Sequence, residues 1–399
     1  MAETPISKRN PPPQVPARLI RFMLTATTLV TLLHSYIGVR LLPDLPGGAA
    51  VTVAAIVALV ASALLIPFGM LARFVIVRQP LSDRVSWAGL LAMGYFSSLL
   101  VLTALRDVVL LLAHLIDWLA NTDPLALLPM SSAVAVPLLA ALVTLIGFVN
   151  ARCTPRILDV EVPIRNLPTP LVDFTIVQLS DIHVSSTIKR AYVQAIVERV
   201  NSLDADLIAI TGDVVDGTVE RLAPHTAPLA NLASRHGSFF VTGNHEYYSG
   251  AEQWVAEFER LGMRVLANSH AVLEHNGAPL VIAGVNDFSA HLFNPVWRSD
   301  PQAALAGSPS GAPKILLAHQ PRSASAAAAA GFDLQLSGHT HGGQFWPWNY
   351  FVRLQQPYTA GLHRLEQLWI YTSRGTGYWG PPKRFGAPSE ITRLRLVSG

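Results

Sequence analysis

Three short stretches concentrate groups that can do chemistry: Asp181 and His183 in "SDIH", Asp213 and Asp216 in "GDVVD", and Asn244 and His245 in "GNHE". Two more add imidazoles, His319 in "AHQ" and the pair His339 and His341 in "GHTH". Taken singly, each has an ordinary explanation. An aspartate after a strand commonly caps a turn, and an isolated histidine is usually a hydrogen-bonded core or surface residue. Nine such residues in five places share no structural reason. Mixed carboxylate, imidazole and amide donors suit borderline or hard divalent metals such as Mn, Fe, Zn or Ni, so metal-assisted chemistry is the expectation.

The elements that must position these groups are legible in the hydrophobic pattern. "FTIVQLSDIH", "DLIAITGDVVD", "SFFVTGNHE", "KILLAHQ" and "FDLQLSG" are each a short apolar run ending in a polar tip, as is "APLVIAGVND". Helical patterns lie between them, at about Arg190–Ser202, Leu222–Arg235 and Ala251–Leu261, and in the alanine-rich "SASAAAAAG". Such alternation predicts a central sheet covered by helices. Ligands of open α/β sheets bind at the carboxyl ends of strands, where these five tips would converge.

In this order the five motifs resemble the calcineurin-like metallophosphoesterases, over roughly Phe174 to Val397. The closing "YTSRGTGYWGPPKRFGAPSEITRLRL" is similar to the end of their bacterial membrane-attached branch, and the overall layout resembles that of animal transmembrane members. The resemblance implies a four-layer αββα sandwich and two divalent metals, manganese first, with Fe, Zn or Ni as alternatives. One metal would be held by Asp181, His183, Asp213 and His341, the other by Asp213 as a bridge with Asn244, His319 and His339. A metal-bridging hydroxide would attack phosphorus in line, His245 would protonate the leaving oxygen, and Asp216 would orient His245. Glu246 reads as structural. One departure matters: protein Ser/Thr phosphatases of this superfamily carry an arginine after the aspartate matching Asp216, and here the residue is Gly217. That argues against a phosphoprotein substrate. Arg374, Lys383 and Arg384 are possible sources of positive charge, read equally well as solvated surface.

The N-terminal half is of another kind. Of 399 residues 51% are hydrophobic and only 14% charged, against roughly a quarter charged in ordinary globular chains. A spanning helix needs about 20 apolar residues. Four segments qualify: Phe22–Leu42, Ala49–Leu71, Trp87–Leu105 with an extension or interfacial helix at Val108–Leu119, and Ser132–Val149. Arg106 and Asp107 are expected to pair as neighbours at the lipid boundary. Basic residues collect before the first span, between the second and third and after the fourth, which places the C-terminal half in the cytoplasm. The expected organisation is a disordered cytoplasmic tail over 1–21, a transmembrane domain of about four helices over 22–151, a linker over 152–173, and the phosphoesterase domain over 174–397. The fold class is therefore an all-α membrane bundle followed by an α/β domain.

A formal charge of +3 with no basic tract excludes nucleic acid as a partner. The single cysteine, Cys153, excludes an intrachain disulfide and reads as a small buried or interfacial residue. The membrane half lacks the polar pairs and broken helices of a transporter core. Trp346, Trp348, Tyr350 and Phe351 follow the last metal motif closely, and with "GYWGPPKRF" they suit an apolar lip at a membrane surface. The sequence thus points to a membrane-anchored phosphohydrolase of a phosphodiester or pyrophosphate. Its partners would be an amphiphilic phosphoester and membrane lipids. A UDP-2,3-diacylglucosamine pyrophosphatase is the narrower form. A non-catalytic membrane receptor or scaffold is the alternative of another class, which loss of a metal-binding residue would favour; every such position is occupied.

Overall fold

A computed structural model describes residues 17–76, 78–120 and 127–399. Of the expected tail, residues 1–16 lie outside the described residues. Four long helices come first: α1 (Ala17–Leu41), α2 (Gly48–Val75), α3 (Leu81–Ala120) and α4 (Leu128–Arg152). Among the described residues three are long and apolar enough to cross a membrane, namely α2, α3 and α4. Helix α1, several of whose side chains lie outside the described residues, is not in that set. It still packs into the bundle, where Ile37 and Leu41 share a buried cluster with Leu99, Val136 and Ala140.

Helix α3 runs unbroken for 40 residues, so that Val108–Leu119 extends the helix of the third span. One expectation about this half is corrected. Arg106 and Asp107 do not pair, because neighbours on a helix point about 100° apart. Arg106 instead donates to Asp44, Ser132 and the carbonyls of Arg40 and Pro129, while Asp107 accepts from Arg40 and Tyr36. Of the two readings of Cys153, buried or interfacial, the first does not hold: it is exposed where α4 ends.

The rest of the chain builds two six-stranded sheets. The first contains β1 (Arg156–Ile164), β2 (Thr175–Leu179), β3 (Leu207–Ile210), β4 (Ser238–Phe240) and β5 (Arg264–Val265), and also the last strand of the chain. The second contains β6 (Ser269–His275), β7 (Ala278–Gly284), β8 (Lys314–Leu317), β9 (Leu334–Ser337), β10 (Gly361–Leu365) and β11 (Leu368–Thr372). The last strand, β12 (Glu390–Ser398), lies between β1 and β2. Outside the first sheet lie α5 (Arg190–Asn201), α6 (Val219–Thr226) and α8 (Ala251–Arg260), while α7 (Asn244–Ser249) follows the carboxyl end of β4 with Asn244 and Glu246 buried; α9 (Pro301–Ala304) and α10 (Ala324–Ala330) cover the second.

Period-two alternation decides which side chain meets which layer. On β2, Val177 and Leu179 face the helices while Ile176 faces the opposite sheet; on β3, Ile208 and Ile210 face outward and Leu207 and Ala209 inward. Helix α5 answers with Val193, Ile196, Val197 and Val200 on one stripe. Each such side chain, fully buried, contributes about 1.5–3 kcal/mol. The layers are therefore α, β, β, α.

The stretch 152–173 contains strand β1, which pairs in parallel with β12 from Arg156↔Glu390 to Ile164↔Ser398. The helix expected over Leu222–Arg235 is shorter, ending at Thr226 and followed by a single tight turn over Ala227–Asn231. Pro224 and Pro228 remove amide donors that a longer helix needs.

Candidate active site

The five polar tips follow β2, β3, β4, β8 and β9. Parallel pairing runs through β2, β3 and β4 in one sheet and β8 and β9 in the other, so all five tips emerge at one end of the sandwich. Gln178 ties the sheets together just below, its amide donating to Thr211 Oγ1 and to the Ser337 carbonyl.

Three overlapping groups of possible metal donors form there. Asp181, His183 and His341 make the first, Asp213, His319 and His339 the second, and His183, Asp213 and His245 a third that overlaps both, with donor atoms in each group within 4.8 Å of one another. His183 Nε2 and His341 Nε2 are 3.0 Å apart, and His341 Nε2 is 3.4 Å from Asp181 Oδ1. In the second group His319 Nε2 lies 3.1 Å from Asp213 Oδ2 and 3.2 Å from His339 Nδ1. Asp213 Oδ2 is also 3.9 Å from His183 Nε2, so this carboxylate faces the first two groups.

The backbone is bent to bring them in. Asp181, His183, Asp213, His339 and His341 all have φ between 51° and 70°. Side chains rarely adopt that left-handed region, at about 1–3 kcal/mol each, and such residues cluster at functional sites. The strain is held by a dense set of main-chain contacts. Glu246 accepts from the amides of Gly243, Asp213 and Val214 at 2.7, 2.9 and 2.8 Å, fastening the "GDVVD" turn to the "GNHE" turn. A side chain at position 243 would lie 2.2 Å from Asp213 Oδ1, so only glycine lets the two turns approach this closely.

His245 stands beside the second group. Its Nδ1 is 2.5 Å from Asp216 Oδ1, and its Nε2 is 3.9 Å from Asp213 Oδ2. Asp216 Oδ1 also accepts from His183 Nδ1 at 3.1 Å, which leaves His183 Nε2 facing the first group. His319 is oriented in the same manner, its Nδ1 lying 2.7 Å from the Thr211 carbonyl.

The charges follow from this packing. Burial works against ionisation of Asp213, but the imidazoles of His319 and His245 hold it well below the usual carboxylate range. Burial lowers His339 to about 4, helped by His319, and lowers His341, helped by the Arg384 guanidinium. Burial also opposes charge on His245, yet Asp213 and Asp216 outweigh it and raise the group to about 9. Burial opposes charge on His319 as well, yet Asp213 beside it raises that group well above its ordinary value; a cation bound there would take the place of that proton, since metal ligation requires a neutral imidazole and an ionised carboxylate. Asn244 Oδ1 is buried without a hydrogen-bond partner, a condition that a cation relieves. The residues present therefore fit a pair of divalent cations.

The sequence names Arg384 and its neighbours only as possible sources of charge or as solvated surface, and the structure corrects the second reading. Arg384 and Lys383 are fully buried, and Arg374 is paired with Glu390 at 2.8 Å. None of the three is a solvated surface cation. Arg384 donates to the carbonyls of His341, Arg374 and Gly377, and reaches His341 Nδ1 at 3.0 Å. Its signal in the sequence was faint, a charge within the glycine- and proline-rich "GPPKRFG".

Residues 174–343 match the calcineurin-like phosphoesterase family. Over 329 residues the chain is 33% identical to an uncharacterized metallophosphoesterase of Campylobacter jejuni, covering 81% of this chain and 85% of that protein. The chain belongs to the calcineurin-like metallophosphoesterase family. Its class is accordingly that of metal-dependent phosphoesterases. Among metallophosphoesterases it is also similar to the "Transmembrane protein with metallophosphoesterase domain" of two vertebrates. It is 39% identical to that of Danio rerio over 267 residues (65% of this chain, 61% of the relative) and to that of Bos taurus over 289 residues (70% and 64%). The alignments span less than two thirds of those two relatives' length.

Proposed function

We propose that this chain is a membrane-held phosphohydrolase that uses two divalent cations, manganese first among them, to cleave a phosphodiester or pyrophosphate bond in a lipid-linked substrate at the cytoplasmic face. The observation that carries the reading is Asp213, which faces the first two donor groups, with His245 fixed beside it on Asp216.

Paired cations, when bound, polarise a phosphoryl oxygen and ionise a water at neutral pH. The chain's own residues do the rest. Asp181, His183 and His341 hold one side and Asn244, His319 and His339 the other, with Asp213 between. His245, protonated and held at Nδ1 by Asp216, presents Nε2 to the reaction space, where it can deliver a proton to the departing oxygen. The lack of an arginine at Gly217, with Arg374 occupied by Glu390, supports a phosphodiester or pyrophosphate over a phosphoprotein. The apolar surroundings of His245 support a substrate with a hydrocarbon part: Tyr248 and Trp379 lie 5.3 and 5.7 Å from its ring.

The test is hydrolysis of bis(p-nitrophenyl) phosphate by the purified protein with manganese. Asp213→Ala should abolish turnover and His245→Ala should lower it about 10²- to 10⁴-fold, the usual worth of a general acid. Two bound ions with no turnover in any divalent metal would favour the receptor reading. The narrower substrate is a nucleotide-activated lipid such as UDP-2,3-diacylglucosamine, whose pyrophosphate cleavage releases UMP and a lipid phosphate.

A further inference from the structure

We infer that the loop Phe345–Leu354, with the turn Trp379–Lys383, is inserted into the bilayer leaflet next to the catalytic domain, so that the mouth of the metal site opens onto lipid. This deepens the lipid-linked reading above and rests on it only for what enters the mouth. The insertion itself rests on where the loop meets the helices.

The loop begins four residues after His341 and folds into a short helix, α11 (Trp348–Phe351), and one tight turn, Val352–Leu354. It leaves large apolar groups outside: Trp348 is 42% exposed, Tyr350 61%, Phe351 53% and Leu354 83%. So much contiguous apolar surface on a domain in water marks an interaction site. The backbone is suited to lipid, because the amides of Trp346, Trp348, Tyr350 and Gln355 are all bonded to main-chain carbonyls. Unsatisfied backbone is what hydrocarbon excludes. Arg353, exposed among these residues, has a stem long enough to carry its charge up to headgroup phosphates.

The depth can be read against α3. Trp348 Nε1 donates to Ser97 Oγ at 2.9 Å, and Lys383 Nζ donates to the Gly94 carbonyl at 2.9 Å and to Ser98. From α4, Asn150 donates to the Arg384 carbonyl and Gly147 accepts from the Arg384 amide. The far end of the bundle is marked by the ion network in which Arg106 gathers Asp44, the end of α1 and the start of α4. Charges so arranged belong at a membrane boundary. Ser97 precedes Arg106 by nine residues and Gly94 by twelve, about 13 and 18 Å along a helix. A hydrocarbon core is about 30 Å thick. Both contacts therefore fall well inside it, and the loop that makes them cannot lie wholly above the headgroups.

A second apolar rim faces the first across His245. Phe293 lies tilted against Tyr248 at 5.5 Å, and Leu292 and Val296 are among the most exposed apolar residues of the domain. An amphiphile lying between the rims would present its phosphoester to the metal ligands while its chains stay in the leaflet.

The experiment uses the full chain in phosphatidylcholine–phosphatidylglycerol vesicles. With Cys153→Ser as background, an environment-sensitive fluorophore is attached at Tyr350→Cys, Leu354→Cys or, as an aqueous control, Glu259→Cys on α8. Labels at 350 and 354 should be quenched by lipid-borne nitroxides and shielded from iodide at least about threefold relative to 259, as expected within the hydrocarbon zone. Iodide quenching at 350 and 354 equal to that at 259 overturns the insertion. Hydrolysis of the soluble diester by each labelled protein shows that it is folded. Insertion without turnover of any lipid-linked substrate would defeat the lipid-substrate reading and leave the inference standing; the converse pattern would do the opposite.

Discussion

Asp216 is the residue whose loss should be most informative, because one oxygen serves two imidazoles with different duties. It fixes His183, which faces the first donor group, and His245, which faces the reaction space. Asp216→Asn should therefore weaken manganese binding, by about 10- to 100-fold as for other groups that orient metal ligands, and lower turnover as well. His245→Ala should lower turnover alone, leaving manganese affinity as it is. Titration calorimetry beside the diester assay separates the two, and equal metal loss in both variants would sink the assignment. The pH profile gives a further check. His245 is raised from 6.5 to about 9 by Asp213 and Asp216 against the effect of burial. A group needed as an acid gives activity that falls as pH rises through its pKa, and cations at Asp213 draw that pKa downward. The alkaline limb should thus lie between 6.5 and about 9, and Asp216→Asn should move it to lower pH, since one of the two raising carboxylates is gone. The identities of these residues are legible in the sequence because each motif is local, a carboxylate, imidazole or amide at the end of an apolar run. Their left-handed backbone and the doubled role of Asp216 are not, because both depend on turns far apart in the chain.

At the scale of elements, the last quarter of the chain links the bundle to the metal site. Arg384 bonds to the main chain of His341 and of Gly377, and its own main chain bonds to Gly147 and Asn150 of α4. The adjacent Lys383 reaches α3. Charged residues read as solvated from sequence when their partners are main-chain carbonyls, which leave no complementary residue type to notice. The same reason hid β1, where Pro163 and a charged edge suggest a linker, and the partner strand β12 is at the other end of the chain. The strands bearing the site were legible because their hydrophobic runs are continuous and buried on both faces. Arg384→Lys keeps the charge but replaces a planar fork by a single ammonium, which cannot span carbonyls on several sides. We expect a loss of about 3 kcal/mol or more, the range for breaking a buried hydrogen-bond network, and a fall in bound manganese from two ions per chain toward one as His341 loses its support. Elemental analysis of the purified variant measures this directly; two tightly held ions would show that Arg384 serves stability alone.

For the whole molecule the open quantity is how many times the chain crosses the bilayer, and this fixes where the active site faces. Among the described residues α2, α3 and α4 are long and apolar enough on composition. Packing argues that α1 crosses with them. His34 Nε2 lies 3.0 Å from Ser62 Oγ, and Gly38 lies against Leu59, so α1 and α2 run antiparallel in register from the short turn that joins them. In that register the first turns of α1 are level with the end of α2, and the two traverse the same thickness. The polar residues of α1 are partly engaged within the bundle: His34 stacks on Phe96 at 4.2 Å, and Arg40 pairs with Asp107. On the proposed topology four crossings would return the chain to its starting side, and the arginines at 78, 84, 152 and 156 on the catalytic side would mark that side as the cytoplasmic one. A fluorescent protein that folds only in the cytoplasm should be bright when fused after Gly399 and equally bright when fused before Met1, while alkaline phosphatase at either place should be inactive. Opposite results at the two ends would mean that only three helices cross. Alkaline phosphatase activity at both ends would place the metal site, and any lipid it cleaves, on the outer face.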